Sequence, residues 1–308
     1  MVQVTGSRVA PVVTVDGRGV VSHAGTVMLG EVAERTGLAA GFAEAADGLR
    51  RRRAGHDPGR VLADLAVAIA DGAETITDLQ VLADQPDLHG PVASTATAWR
   101  VLAGVGEAML TGLRLARAAA RERAWLARAE LTGQALPPSR AAGRSVDAVV
   151  IDIDATLVTC HSEKEGAAPT FKGGFGYHPI VAYLDNTHEA LAGILRVGNA
   201  GSNTAADHIA VLDLALAQLP DAARTGAILV RTDGAGCSHP WVEHLATGGF
   251  AYSTGFGVTE AVRTAVANVP AWVWAPAIDS VGGTATAPPS PRSPPCWTCP
   301  AGRTGCGS

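Results

Sequence analysis

The chain has 308 residues, 47% of them apolar, with 24 basic and 29 acidic side chains and a formal net charge of -5. That length holds one large domain or two ordinary ones around a core of useful size, and the overall acidity offers no general basic surface for nucleic acid. No basic start followed by an apolar run opens the chain, and no apolar stretch reaches the length of a membrane span, so a cytoplasmic protein is expected.

Only two basic residues are lysines, Lys164 and Lys172. With abundant Ala, Gly and Pro, this indicates a GC-rich coding sequence rather than a function. The charge is uneven: residues 1–145 hold 16 basic and 15 acidic residues, residues 146–308 hold 8 and 14. Local basic patches are therefore compatible with the acidic total. Cys160 and Cys237 lie in the main body and Cys296, Cys299 and Cys306 in the tail, which is not the pattern of a disulfide framework.

In chain order, Val9 to Ser22 alternates Val with polar residues around a Gly/Asp turn and predicts a short strand or hairpin. "TVMLGEVAERTGLAAGFAEAA" predicts two helices broken at Thr-Gly. Two readings fit this pair: a helix-turn-helix, or an ordinary pair in a bundle. Arg50, Arg51, Arg52 and Arg53 follow. Four successive arginines can neutralise DNA phosphates, or they can be a solvated helix end. Asp57 is placed to cap the next helix and Pro58 fits its first position. Val61, Leu62, Leu65 and Ile69 recur at helical spacing. Further helices are predicted around Ile76 to Leu82, after a Ser94 or Thr95 cap, and from Glu107 to Leu131. Residues 1–145 are thus expected to form a mainly helical, DNA-binding region.

The grammar changes at Val146. "DAVVIDIDATLVT", "HPIVAYLD" and "ALAGILRVG" predict three strands. "NTAADHIAVLDLALAQLP" predicts a helix, and then strand and helix alternate through "GAILVRTDG", "SHPWVEHLAT", "GFAYSTGF" and "TEAVRTAVANV". Three strands in series followed by crossovers suggest an antiparallel meander extended by parallel strands. The expected fold class is α/β: a ribonuclease-H-like mixed sheet over residues 146–279, preceded by the helical region. Gly282 to Ser308 contains no Val, Ile, Leu, Met or Phe to offset ordering entropy, and residues 280–308 are expected to be disordered. The C-x-x-C of Cys296 and Cys299 has too few partners for a zinc site.

Asp152 and Asp154 stand two apart in an apolar strand and so share a face. Such a pair is costly unless it holds a cation, protonates or lines a cleft. Asp233 ends "AILVRTDG", where α/β sheets commonly build sites, although Asp-Gly also suits a plain turn. In a ribonuclease-H-like sheet the first and fourth strands are neighbours, so Asp154 and Asp233 would meet and repel unless a cation lay between them. The glycines of "FKGGFGYHP" fit a hairpin better than a nucleotide loop. Lys172 and Arg231 are candidate phosphate contacts.

Residues Asp147 to Asp279 resemble the catalytic domain of DDE transposases of bacterial insertion sequences, in particular the insertion-sequence family numbered 1380. The carriers are "DIDATLVTCHSEKEGAAPTFKGGFGYHPIVAYLDNT", "LRVGNAGSNTAADH" and "VRTDGAGCSHPWVEHL", with a similar helical region from His56 to Arg100. The resemblance implies a Mg2+- or Mn2+-dependent two-metal site, with Asp154 and Asp233 as catalytic and metal-binding carboxylates. It also implies double-stranded DNA with terminal inverted repeats as partner, and a homo-oligomer on paired ends. The family's third acid, a downstream Glu, has no counterpart here. A frameshift near Asp279 would explain this and the tail's composition, and the chain is expected not to transpose alone.

"VVIDIDATL" also resembles the first motif of haloacid-dehalogenase-like phosphatases. That reading implies Asp152 as nucleophile, Asp154 as general acid/base and Thr232 as a phosphate contact. Two further strands follow the motif instead of a crossover helix, and Ala155 stands where that family usually has Gly. A third reading is a DNA-binding remnant without catalysis.

Overall fold

The computed structural model describes residues 22–50, 55–141, 144–161, 164–201, 204–276, 283–284 and 297–298. The strand or hairpin expected before Ser22, Arg51 to Arg53 and most of the tail lie outside the described residues. The chain forms two compact units: Met1–Ala135 with Ala217–Pro220, and Leu136–Leu216 with Asp221–Ser308. No helix among the described residues is long and apolar enough to cross a membrane.

The first unit is helical: α1 (Thr26–Arg35), α2 (Leu38–Ala45), α3 (Pro58–Ala70), the short α4 (Gln80–Ala83) and α5 (Pro86–His89), α6 (Thr95–Ala103) and α7 (Glu107–Thr132). Local chemistry sets their ends. The Asp57 side chain accepts from Arg60 N at 3.1 Å and Pro58 takes the first turn, and Ser94 accepts from Thr97 N. Gly133 closes α7 in the left-handed conformation. Phe42, Val61, Leu62, Leu65, Leu79, Leu82 and Val101 form the core; burial of each such side chain contributes about 1.5–3 kcal/mol.

Helix α2 is closely packed on two sides. A Cβ on Gly59 of α3 would sit 2.3 Å from Ala43 Cα, and one on Gly41 would sit 2.7 Å from Ala116 Cβ of α7. The helix is therefore clasped between two neighbours, and its exposed positions include Ala40 and Glu44 but no basic residue. It packs against α3 and α7 as a bundle element.

The second unit is built on a five-stranded sheet. Its strands are β3 (Val149–Ala155), β7 (Ile180–Leu184), β8 (Glu189–Ile194), β9 (Ile228–Thr232) and β10 (Ala251–Thr254), in the order β10-β9-β3-β7-β8. β3, β7 and β8 run antiparallel in sequence, while β9 and β10 are parallel to β3. This is the mixed ribonuclease-H-like sheet expected from the order of the segments. Helix α8 (Ala205–Leu216) packs on β7 and β8, and α10 (His239–Thr247) packs on α8 and β10. The short α9 (Asp221–Arg224) leads into β9, and α11 (Glu260–Ala267) follows β10. Ile151, Ile153, Ile180, Ala182, Leu184 and Val230 fill the covered face and meet Val211, Leu212 and Trp241.

The structure adds elements that periodicity did not show. A hairpin, β1 (Ser139–Ala141) and β2 (Arg144–Val146), opens the second unit. The unit thus starts at Leu136, earlier than the expected change at residue 146, because Ser139 and Pro137 bond to Asp185 and Asn186 beside the sheet. The "FKGGFGYHP" region is part of a small antiparallel sheet, β4 (Val158–Thr159), β6 (Phe175–Tyr177) and β5 (Ala168–Pro169), in the order β4-β6-β5. A Cβ on Gly176 would lie 2.0 Å from Val158 O, so only glycine permits that pairing. In the tail, β12 (Trp297–Thr298) pairs with β11 (Ala275–Pro276).

Candidate metal centre

Alternation along β3 sends Ile151 and Ile153 to the covered face and Asp152 and Asp154 to the other. The parallel register with β9 pairs Asp152 with Arg231 and Ile153 with Thr232. Thr232 faces the covered side, where it donates to Thr254 Oγ1 at 3.0 Å. Asp154 and Asp233 each lie one residue beyond the last registered pair of β3 with β9, Ile153 with Thr232. Both are exposed. Asp154 Oδ1 accepts from Ala155 N at 2.8 Å.

Asp233 opens a 3-10 turn, Gly234–Gly236, and two glycines missed at the sequence level shape its surroundings. A Cβ on Gly236 would lie 2.7 Å from Thr232 Cβ and 3.2 Å from His208 Nε2. One on Gly255 would lie 2.9 Å from Gly234 N. Bare backbone at both positions lets the turn fold down over the sheet end. The signal was present as "TDGAG" and "STGFG", but its reason is a non-local approach.

Arg231, a candidate phosphate contact, is engaged by two aspartates. Its Nε donates to Asp152 Oδ1 at 2.5 Å and its Nη2 to Asp152 Oδ2 at 2.6 Å. The same Nη2 lies 3.0 Å from Asp185 Oδ1, and Ser139 Oγ donates to Asp185 Oδ2. The hydrogen bonds to Asp152 hold the guanidinium pKa above its ordinary value, against partial burial; the charges of Asp152 and Asp185 add to this. Asp185, the acid ending "HPIVAYLD", belongs to this cluster and was not singled out from sequence.

The other candidates make contacts of their own. Lys172 lies beside the exposed Phe171, its Nζ 5.8 Å from the ring centroid. Arg50 pairs with Asp47 at 3.4 Å and with Asp57. Buried His178 engages Ala200 O through Nδ1 at 2.8 Å, a structural use. Glu243 belongs to α10, on the covered side of the sheet, and Glu260 is exposed at the start of α11. Among the described residues, no group of three or more His, Cys, Asp or Glu could hold a metal ion. Two carboxylates nevertheless match the chemistry of a hard divalent cation, which commonly takes one or two carboxylates and completes its shell with water and substrate phosphate.

A family model described as Transposase DDE domain group 1 matches residues 3–285. Among solved structures, the chain is similar to the "Mos1 transposase paired-end complex with left transposon end" at 14% identity and a TM-score of 0.24, over 66% of this chain and 61% of that one. It is also similar to the "Crystal structure of the Mos1 mariner paired end complex with Mn" at 12% identity and a TM-score of 0.24, over 71% and 74% of the two chains. No curated protein sequence matches.

Proposed function

The chain belongs to the Transposase DDE domain group 1 family, and on that premise we propose that it is a DNA transposase of insertion-sequence type whose Asp154 and Asp233 bind one divalent cation, Mg2+ or Mn2+. The observation that supports this reading is the parallel pairing of β3 with β9, which ends at Ile153 and Thr232, each followed by an exposed aspartate. A cation bound there supplies Lewis acidity toward a phosphodiester. Asp154 and Asp233 offer it oxygen ligands, and the glycine-lined turn orients the second of them.

The partner in this reading is double-stranded DNA bearing terminal inverted repeats, engaged by a homo-oligomer on paired ends; the insertion-sequence family numbered 1380 is the proposed subgroup. Lys172 and the run Arg50 to Arg53 are the proposed phosphate contacts. Two carboxylates fall short of a two-metal site, so the 308-residue chain binds the cation weakly and does not transpose alone. The phosphatase alternative needs Asp152 as a free nucleophile and Thr232 as a phosphate contact. Both Asp152 oxygens accept from Arg231, and Thr232 bonds to Thr254.

The test combines Mn2+ titration with strand cleavage of a labelled duplex carrying the element's ends. Binding that weakens on Asp154→Asn and on Asp233→Asn, without robust cleavage, is expected. Binding indifferent to both substitutions refutes the site. Robust cleavage that disappears on Asp233→Ala refutes the incompleteness.

A further inference from the structure

The open face of the sheet carries Asp152 and Asp154 on β3 and Asp185 just after β7, spread over four strand positions, and Asp233 follows β9. Asp185 belongs to this face because its N donates to Val150 O, opposite the alternate residue of β3, and because its carboxylate reaches Arg231. Unneutralised, such a set would offer a cation several overlapping pairs of carboxylates. Asp152 is the closest competitor, since it lies one side-chain step along the same face from Asp154.

We infer that Arg231 is a charge lock, a positioning residue that withholds Asp152 and Asp185 from cations and so confines cation binding to Asp154 and Asp233. The inference rests on the site proposed above. Its geometric basis is the two-pronged contact with Asp152, at 2.5 and 2.6 Å, which uses both carboxylate oxygens. A planar guanidinium matches a carboxylate in this way and an ammonium does not. The contact to Asp185 at 3.0 Å extends the lock to the second acid, and Ser139 holds that acid's other oxygen. The side chains of Arg231 and Asp152 are 28% and 36% exposed, so a hydrated cation could reach Asp152 if the arginine were gone.

The experiment is Mn2+ titration of the full chain by calorimetry and by electron paramagnetic resonance, with circular dichroism to confirm folding. Arg231→Gln should bind Mn2+ about tenfold more tightly or take up a second ion, because affinity for such ions rises with the number of charged ligands. Asp152→Asn/Arg231→Gln should return toward the wild type. Arg231→Lys keeps the charge but loses the fork. It should tighten binding by a smaller factor, which separates the lock from a general field effect and serves if Arg231→Gln does not fold. Wild-type isotherms in folded Arg231→Gln or Arg231→Lys overturn the lock. Asp154→Asn and Asp233→Asn tell the two failures apart. If they abolish binding while the Arg231 variants change nothing, the lock alone is wrong; if they too change nothing, the underlying site is wrong.

Discussion

Asp152 and Arg231 are a cross-strand register pair of β3 and β9 that meet through two parallel hydrogen bonds. An acid that the sequence marks as chemically costly is thus satisfied by the one strand residue able to do so. Asp152→Asn should lower stability by about 1–2 kcal/mol; this is below the cost of breaking a fully buried pair, because the side chain is 36% exposed. Urea unfolding checks it. The double variant Asp152→Asn/Arg231→Gln should cost less than the two single changes added together, and simple additivity would mean the two residues are not coupled.

Gly236 permits the turn that orients Asp233. Gly236→Ala places a methyl 2.7 Å from Thr232 Cβ and 2.9 Å from Thr232 Oγ1. Overpacking of this kind costs about 1–3 kcal/mol, and relief requires the turn to lift away. Mn2+ binding should weaken more than the melting temperature alone suggests. Unchanged Mn2+ affinity in a folded Gly236→Ala chain would show that the turn does not set the carboxylate.

Gly59 governs the helical unit. Gly59→Ala would press a Cβ to 2.2 Å from Ala43 N and 2.4 Å from Phe42 C, both backbone atoms that cannot rotate away. α2 and α3 must separate, opening the core around Phe42, Val61 and Leu62. A loss of about 3 kcal/mol or more is expected, read as an earlier unfolding transition on denaturation. A substitution without effect would contradict this helix crossing.

Asp78 provides a pH dependence. The backbone N–H of Thr75 donates to its carboxylate at 2.8 Å and that of Glu74 at 2.9 Å. The Thr75 bond first, then the Glu74 bond, holds the carboxyl pKa below its ordinary value of 3.8. A depressed folded pKa means that the contribution is fully present above the unfolded value and is lost as pH falls through the folded one. Stability of the wild type relative to Asp78→Asn should therefore be constant above about pH 5 and shrink below pH 4. A stability difference that stays flat from pH 6 to pH 3 would remove this cap from the acid response.

By itself the sequence determined what depends on neighbours along the chain. The caps at Asp57 and Ser94, the periodicity of α3 and α7, and the apolar strand around Asp152 and Asp154 could all be read locally, because helix ends and side-chain alternation are set within a few residues. The order of segments likewise suggested the mixed sheet. The pairing of Arg231 with Asp152 and Asp185 could not be read in this way, nor could the glycine contacts at Gly236 and Gly255, the clasp of α2 at Gly41 and Gly59, or the small sheet opened by Gly176. Each depends on strand register or on the approach of segments distant in the chain. An arginine in "AILVRTDG" looks the same whether it awaits a phosphate or faces an aspartate across a strand, and only the register that places it opposite Asp152 decides which charge it meets.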